Sequence, residues 1–198
     1  MISPRRRVCA LSRNQFGVSA IEFALLAPVL LLFLLGFFDF GYWMYVRSTA
    51  IGALEGVARS AGVGGSTVNP ATFQTTVEDQ IKQIAPNATF AWNARSYYEF
   101  SRIGNPEKLI TDQNGNGQYD PGDCWQDSVP NGVYDATPGA AGVGGADDIV
   151  FYQLTVTLPP IIDISGFMAN LAGNHVSVLN TIVRRQPYAA QATPPIRC

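Results

Sequence analysis

The chain has 198 residues, of which 47% are hydrophobic and only 14% are charged, with a formal net charge of -2. This length suits one domain of ordinary size plus a membrane segment, and it leaves little room for two large cores. Residues 1–17 hold four arginines and no acid, so the rest of the chain is acidic. Nucleic-acid binding by the body of the chain is therefore not expected, because phosphate contacts need a basic surface.

The first predicted element is a long N-terminal helix. Apolar residues run from Phe23 to Phe38 and continue after Asp39 to Val46. As a helix, this stretch would extend about 36 Å, which is enough to cross a bilayer. Arginines precede the stretch and none lies within it, which predicts a cytoplasmic N-terminus and an exported C-terminal body. Apolar residues at helical spacing extend the helix to about residue 61, at Ile51, Leu54, Ala58 and Ala61.

A processing motif precedes this helix. Gly17 ends the basic leader, and Glu22 is the fifth residue after it, in GVSAIE. This spacing resembles the cleavage signature of type IV prepilins and pseudopilins. The resemblance implies that a membrane-embedded prepilin peptidase cuts between Gly17 and Val18, and glycine suits such a cut because it leaves an extended backbone unobstructed.

The wider N-terminal segment carries a more specific resemblance. AIEFALLAPVLLLFLLGFFDFGYWMYV, followed by ALEGVARSAG, looks like the TadE-like family of tight-adherence (Flp/Tad) pilus assembly pseudopilins, over about residues 16–62. The C-terminal TIVRRQPY, residues 181–188, adds a weaker match. The resemblance implies a component that acts by protein–protein assembly with pilins or other tight-adherence machinery. It implies no enzymatic activity.

Glu22 has three readings. A charge in lipid is costly and normally finds a partner. The resemblance implies that Glu22 compensates the new amine of Val18 on an adjacent subunit, while pairing within the chain and solvation by lipid headgroups are the alternatives. An ordinary secretory signal cut after Ser48-Thr49-Ala50 competes with the whole interpretation, although its apolar segment would be too long.

The exported body predicts one short helix and an antiparallel sheet. Asn69-Pro70 begins the helix and Pro86 ends it, with an apolar face at Phe73, Val77, Ile81 and Ile84. Alternation predicts one or two strands over residues 89–103, interrupted at Ser96, a second at 150–158 and a third at 176–185. The expected class is therefore α+β. The segment IIDISGFMANLAG, residues 161–173, between the last two strands is expected to be a short helix or an apolar loop.

Residues 104–148 are rich in Asp, Asn and Gly, and we expect one long loop that is metal-organised or disordered. DQNGNGQYDPGD, residues 112–123, matches much of a calcium-binding loop. The expected calcium ligands are Asp112, Asn114, Asn116, the carbonyl of Gln118, Asp120 and Asp123. The alternative is a turn-rich surface loop, since Asn and Gly favour turns.

A weaker copy follows fifteen residues later, at Asp127, Asn131 and Asp135. Val129 replaces its third ligand and Pro138 its twelfth, so this copy would share the first site or bind nothing. Cys124 and Cys198 both lie in the body, where an oxidising compartment would permit a disulfide. Neither His175, which is the single histidine, nor any serine has a recognisable catalytic context.

The sequence thus predicts three parts: a cytoplasmic leader at 1–17, a transmembrane and juxtamembrane helix at 18–62, and an exported α+β domain at 63–198. The expected location is the bacterial inner membrane, with a single pass and a periplasmic domain. The alternative function is a membrane-tethered calcium-binding adhesin or envelope-binding module.

Overall fold

The computed structural model describes residues 17–63, 70–161, 173–186 and 189–198. Two helices lie in these ranges: α1 (Val18–Val63), which contains Pro28, and α2 (Pro70–Lys82). Both helices were predicted, and both are confirmed. The basic leader before Gly17, the expected Asn69 cap, residues 162–172 and the last two residues of TIVRRQPY lie outside the described ranges.

The described residues form two antiparallel sheets. The strands are β1 (Thr89–Tyr97), β2 (Lys108–Thr111), β3 (Cys124–Gln126), β4 (Ala140–Ala141), β5 (Ile149–Leu158), β6 (His175–Arg184) and β7 (Ile196–Arg197). The larger sheet has the order β4-β1-β5-β6, and the smaller one has the order β2-β3-β7. At the centre of the larger sheet, Trp92 lies opposite Leu154, which in turn lies opposite Leu179. The α+β class is confirmed.

One face of the larger sheet forms the core, because alternate residues of a strand point to the same side. The predicted inward residues of β5 are all buried: Val150, Tyr152, Leu154, Val156 and Leu158. Helix α2 packs on them through Phe73, Val77 and Ile81, which are also buried. The Phe73 ring stacks on Tyr152, with 4.4 Å between ring centroids.

Helix α1 reaches this core only with its upper half. Its buried residues are Val46, Ala50, Ala53, Leu54 and Ala58. Ile51, which we expected on this face, is 38% exposed. The buried side chains recur every three or four residues from Val46, and Ile51 lies outside that stripe. Most large apolar side chains between Val18 and Phe40 are exposed, so this lower half of α1 projects from the domain.

Two sequence expectations about the rest of the chain are corrected. The strand predicted over 89–103 ends at Tyr97, and a 3-10 turn follows at Phe100–Arg102, so Phe100 is exposed. Ser96 does not interrupt the strand; it is a buried member, and its hydroxyl donates to the carbonyl of Ala140 on β4. The single loop expected over 104–148 is divided by β2, β3 and β4.

Candidate functional site

The N-terminal end of α1 holds the residues of the predicted processing site. The helix begins at Val18, directly after Gly17, and both Val18 and Glu22 are exposed. Four residues separate Val18 from Glu22, which is about one helical turn. The two positions therefore lie on the same side of the helix, and nothing in the described part of the chain covers them.

A second group of polar contacts lies where α1 leaves its exposed half. Asp39 accepts a hydrogen bond from the backbone N–H of Ile161 at 2.8 Å, and its other oxygen lies 2.5 Å from Nε2 of His175. The His175 ring stacks on Trp43, with 5.4 Å between centroids. The indole N–H of Trp43 donates to the hydroxyl of Ser177 at 3.0 Å. The helix is thus fastened to the start of β6 by residues that are far apart in sequence.

The first acidic loop, residues 112–123, curls around its own side chains. Asp112 accepts the backbone N–H groups of Gly115 and Gly117, both at 2.7 Å. Gly117 has φ +74°, a left-handed conformation that favours glycine. The hydrogen bond from the Gly117 N–H contributes most to holding the pKa of Asp112 below its usual value.

Three of the predicted calcium ligands converge. The side-chain amides of Asn114 and Asn116 both donate to the same oxygen of Asp120, each at 2.7 Å. The oxygens of the two Asn side chains accept the backbone N–H groups of Asn116 and Gln118 respectively, which gives alternate positions of the loop the same local turn. The amide nitrogens of both Asn side chains therefore face Asp120, and these hydrogen bonds hold the loop in its turns.

Asp123 has a different task from these three residues. Its oxygens accept the backbone N–H groups of Gln113 and Asp120, at 3.0 and 2.9 Å, and the residue is buried. It ties the two ends of the loop together. Over the described part of the chain, no group of three or more His, Cys, Asp or Glu side chains is arranged to hold a metal ion. Any ion in this loop would therefore depend on Asn side chains and backbone carbonyls.

The second acidic loop, residues 127–138, repeats the first in its hydrogen bonds. Asp127 accepts the N–H groups of Asn131 and Gly132, and the Asn131 side chain donates to Asp135 at 2.9 Å. Tyr119 and Tyr134, fifteen residues apart, stack with 4.3 Å between centroids. The repeat read from the sequence is thus also a repeat in the pattern of turns.

Glu107 is the residue that sequence reasoning missed. It is 2% exposed, and its carboxylate accepts N–H groups from Ser128, Val129 and Asp135. It therefore ties the second loop as Asp123 ties the first. Burial raises the pKa of Glu107 despite these three N–H groups. Glu107 lies sixteen residues before Asp123, so the fifteen-residue repeat gives no signal for it.

The C-terminus fastens the second loop. Cys124 and Cys198 form a disulfide, with the sulfurs 2.07 Å apart, and β7 pairs with β3 beside it. The N–H of Asp127 donates to the carbonyl of Pro195, and Arg197 Nε lies 3.3 Å from a carboxylate oxygen of Asp127. Asp127 is fully buried, so this guanidinium is its charge partner.

A cavity of about 280 Å³ is lined by residues that lie in or near the two sheets. They include Ser96, Tyr97, Tyr98, Ser128 and Asp148. The carboxylate of Asp148 accepts hydrogen bonds from the N–H of Gly145 and from the Gln191 side chain. Its neighbour Asp147 forms a two-bond ion pair with Arg184. Both acids thus hold the turn before β5 in place. His175 contacts a different acid, Asp39.

The comparisons with known proteins bear on the N-terminal part of the chain. A family model described as TadE-like protein matches residues 17–59. Residues 17–59 form a TadE-like segment. No curated protein and no solved structure matches the chain.

This match confirms the resemblance that the sequence carried. It covers the exposed lower half of α1 and most of the half that packs on the sheet. A TadE-like segment implies a component associated with a tight-adherence (Tad) pilus. Helix α1 is long and apolar enough over Val18–Ser60 to cross a membrane, and it is compatible with a single-pass anchor.

Proposed function

We propose that this protein is a pseudopilin-like assembly component of a tight-adherence pilus system. It is anchored in the bacterial inner membrane by the lower half of α1, with the leader in the cytoplasm and the α+β domain in the periplasm. Its partners are the prepilin peptidase, then pilins or other tight-adherence machinery. The observation that carries the proposal is the TadE-like segment, whose first residues, Gly17 and Val18, are the expected cleavage pair.

The geometry at Val18 supports processing at this bond. Since α1 begins at Val18, cutting after Gly17 would leave the helix whole. The cut would create an amine one turn below Glu22. A buried charge in lipid needs a partner, and the exposed Glu22 is available to the amine of a neighbouring subunit.

Mass spectrometry of the N-terminus tests the cleavage step. In cells with the peptidase, the mature protein should begin at Val18, and Gly17→Ala should leave the leader attached. Gly36→Ala is the matched control, because this glycine lies in the same helix with open space around it. An N-terminus at Met1 in peptidase-positive cells would contradict the proposal, and so would cleavage that also depends on Gly36.

Assembly is tested separately with Glu22→Ala. We expect this variant to be processed normally but to lose co-purification with pilins or machinery proteins after crosslinking. Glu55→Ala, an exposed acid higher in the same helix, should keep both processing and co-purification. Normal co-purification of Glu22→Ala would remove the role proposed for the carboxylate.

A second candidate function is a membrane-tethered calcium-binding adhesin or envelope-binding module. It is favoured by the proximity of the Asn114, Asn116 and Asp120 side chains, which carry the hard oxygen atoms that calcium prefers. Calcium should then raise the melting temperature of the full chain in detergent, and Asp112→Ala should reduce the rise. Asp147→Ala, an acid outside both loops, is the control. An unchanged melting temperature in calcium would show that the first acidic loop is a set of turns that does not bind calcium.

A further inference from the structure

The position of Asp39 along α1 sets the depth of one end of the folded domain. Glu22 is the last charge before the apolar stretch, so it marks the inner edge of the span. A hydrocarbon core of about 30 Å corresponds to about 20 residues of helix, which places the outer edge near residue 42. Asp39 therefore lies about 4.5 Å below that edge, and any tilt of the helix would place it deeper.

The contacts of Asp39 carry the domain to the same depth. Its carboxylate is bonded to the N–H of Ile161, just after β5, and to His175, the first residue of β6. Two exposed apolar side chains flank these bonds, because Ile161 is 55% exposed and Val176 is 54% exposed. We call Asp39, Ile161, His175 and Val176 the membrane-proximal rim.

We propose that this rim is an interaction surface for phospholipid and sits within the outer lipid interface. A bare carboxylate at this depth would be costly, and the rim satisfies it with a backbone donor and an imidazole. Trp43 stacks on that imidazole at the level where aromatic residues favour the interface. The exposed Ile161 and Val176 then meet lipid rather than water.

The alternative occupant of this surface is water, with the domain held clear of the bilayer. The continuity of α1 argues against such a gap. Tyr42 already donates its hydroxyl to the carbonyl of Ile84 at 2.8 Å, and Val46 is buried in the core. No linker separates the span from the domain, so the domain begins where the hydrocarbon ends.

The inference rests on the membrane anchoring in the proposed function, and one experiment separates the two. Single cysteines are placed at Leu31, Ile161 and Val133 in a Cys9→Ser background, and each is labelled with an environment-sensitive fluorophore. These positions have similar exposure in the folded chain, at 55%, 55% and 63%, so differences between them come from the bilayer. The full chain is reconstituted in phosphatidylcholine vesicles and quenched with spin-labelled lipid or with aqueous iodide.

We expect lipid to quench the labels at Leu31 and Ile161, and iodide to quench the label at Val133. If Leu31 is quenched by lipid but Ile161 behaves as Val133 does, the rim is not in the interface, although the anchor stands. If Leu31 itself is quenched by iodide, the anchor fails and the inference fails with it.

Asp39→Ala then tests how the rim is held. Loss of the bonds to Ile161 and His175 should lower lipid quenching at Ile161 while leaving that at Leu31 unchanged. Glu55→Ala, sixteen residues higher in α1, should change neither label. Unchanged quenching at Ile161 in the Asp39 variant would show that Asp39 does not set its depth.

Discussion

The larger sheet and the acidic loops both follow helix α1 in the chain, yet different contacts hold them. The larger sheet is covered by two helices and buries apolar side chains such as Leu154 and Val77. The region of β2, β3, β7 and the two acidic loops, which we call the loop module, is tied by carboxylates that accept backbone N–H groups and by a disulfide. Apolar burial is insensitive to pH and reductant, whereas carboxylates respond to pH and the disulfide responds to reductant. The two regions should therefore fail under different treatments.

The largest effect is expected in the core of the larger sheet. Leu154→Ala should lower the free energy of unfolding by about 2–5 kcal/mol, because it leaves a cavity among fully buried neighbours. Urea unfolding of the full chain in detergent, followed by tryptophan fluorescence, measures it. Val178→Ala, an exposed residue on the next strand, should stay within about 0.5 kcal/mol. Equal losses in both variants would show that this sheet face is not the core.

The next effect should be confined to the loop module. Cys198→Ser removes a bond between residues 74 apart, which we expect to cost about 2–4 kcal/mol. Hydrogen exchange should then speed up at Asp127, whose N–H donates to Pro195, while β5 keeps its protection. Cys9→Ser is the thiol control. Equal loss of protection in β5 would show that the two regions unfold as one unit.

Glu107 should make the loop module depend on pH. Glu107→Gln replaces one acceptor oxygen with a donor, leaves a backbone N–H of the second loop without its partner, and should cost about 1–3 kcal/mol. Because burial raises the pKa of Glu107 in the folded state, its contribution is full below the unfolded pKa and declines as pH rises through the folded one. The difference in unfolding free energy between wild type and variant should thus shrink from pH 4 to pH 7. A difference that grows over this range would mean that folding lowers the pKa of Glu107 instead of raising it.

The smallest effect tests a single turn. Gly117→Ala places a side chain at φ +74° and should cost about 1–2 kcal/mol, measured by the same urea unfolding. Gly52→Ala changes the same atoms in the regular geometry of α1 with open space around it, and it should stabilise the chain by about 0.5–1 kcal/mol. Effects of the same sign would mean that Gly117 does not need its left-handed conformation.

The parts predicted from the sequence are those whose signal is local. The alternation from Val150 to Leu158 is a property of one strand, and the apolar run that begins at Phe23 is a property of one helix. Ser96 was misread because alternation does not show whether a polar residue on the inner face finds a partner. Its acceptor, the carbonyl of Ala140, lies 44 residues away.

The candidate sites divide in the same way. Gly17 and Glu22 stand in one short motif, and so do Asn114, Asn116 and Asp120, which the structure brings together. The partners of Glu107 lie more than twenty residues beyond it, and Asp39 lies 136 residues before His175. Such contacts leave no periodic pattern in the sequence, because residues this far apart along the chain come together only when it folds.

Helix α1 joins the proposed membrane span to the core as one continuous helix, in which the single proline is Pro28. Its 46 residues correspond to about 69 Å, and its upper half is fixed to the sheet at Val46 and Leu54. The helix therefore behaves as a rigid rod that moves together with the sheet. In the proposed anchored state, any rotation of the folded domain about the membrane normal would turn the outer half of the span through the same angle, so a partner that bound the sheet would also determine which side of the span faces its neighbours.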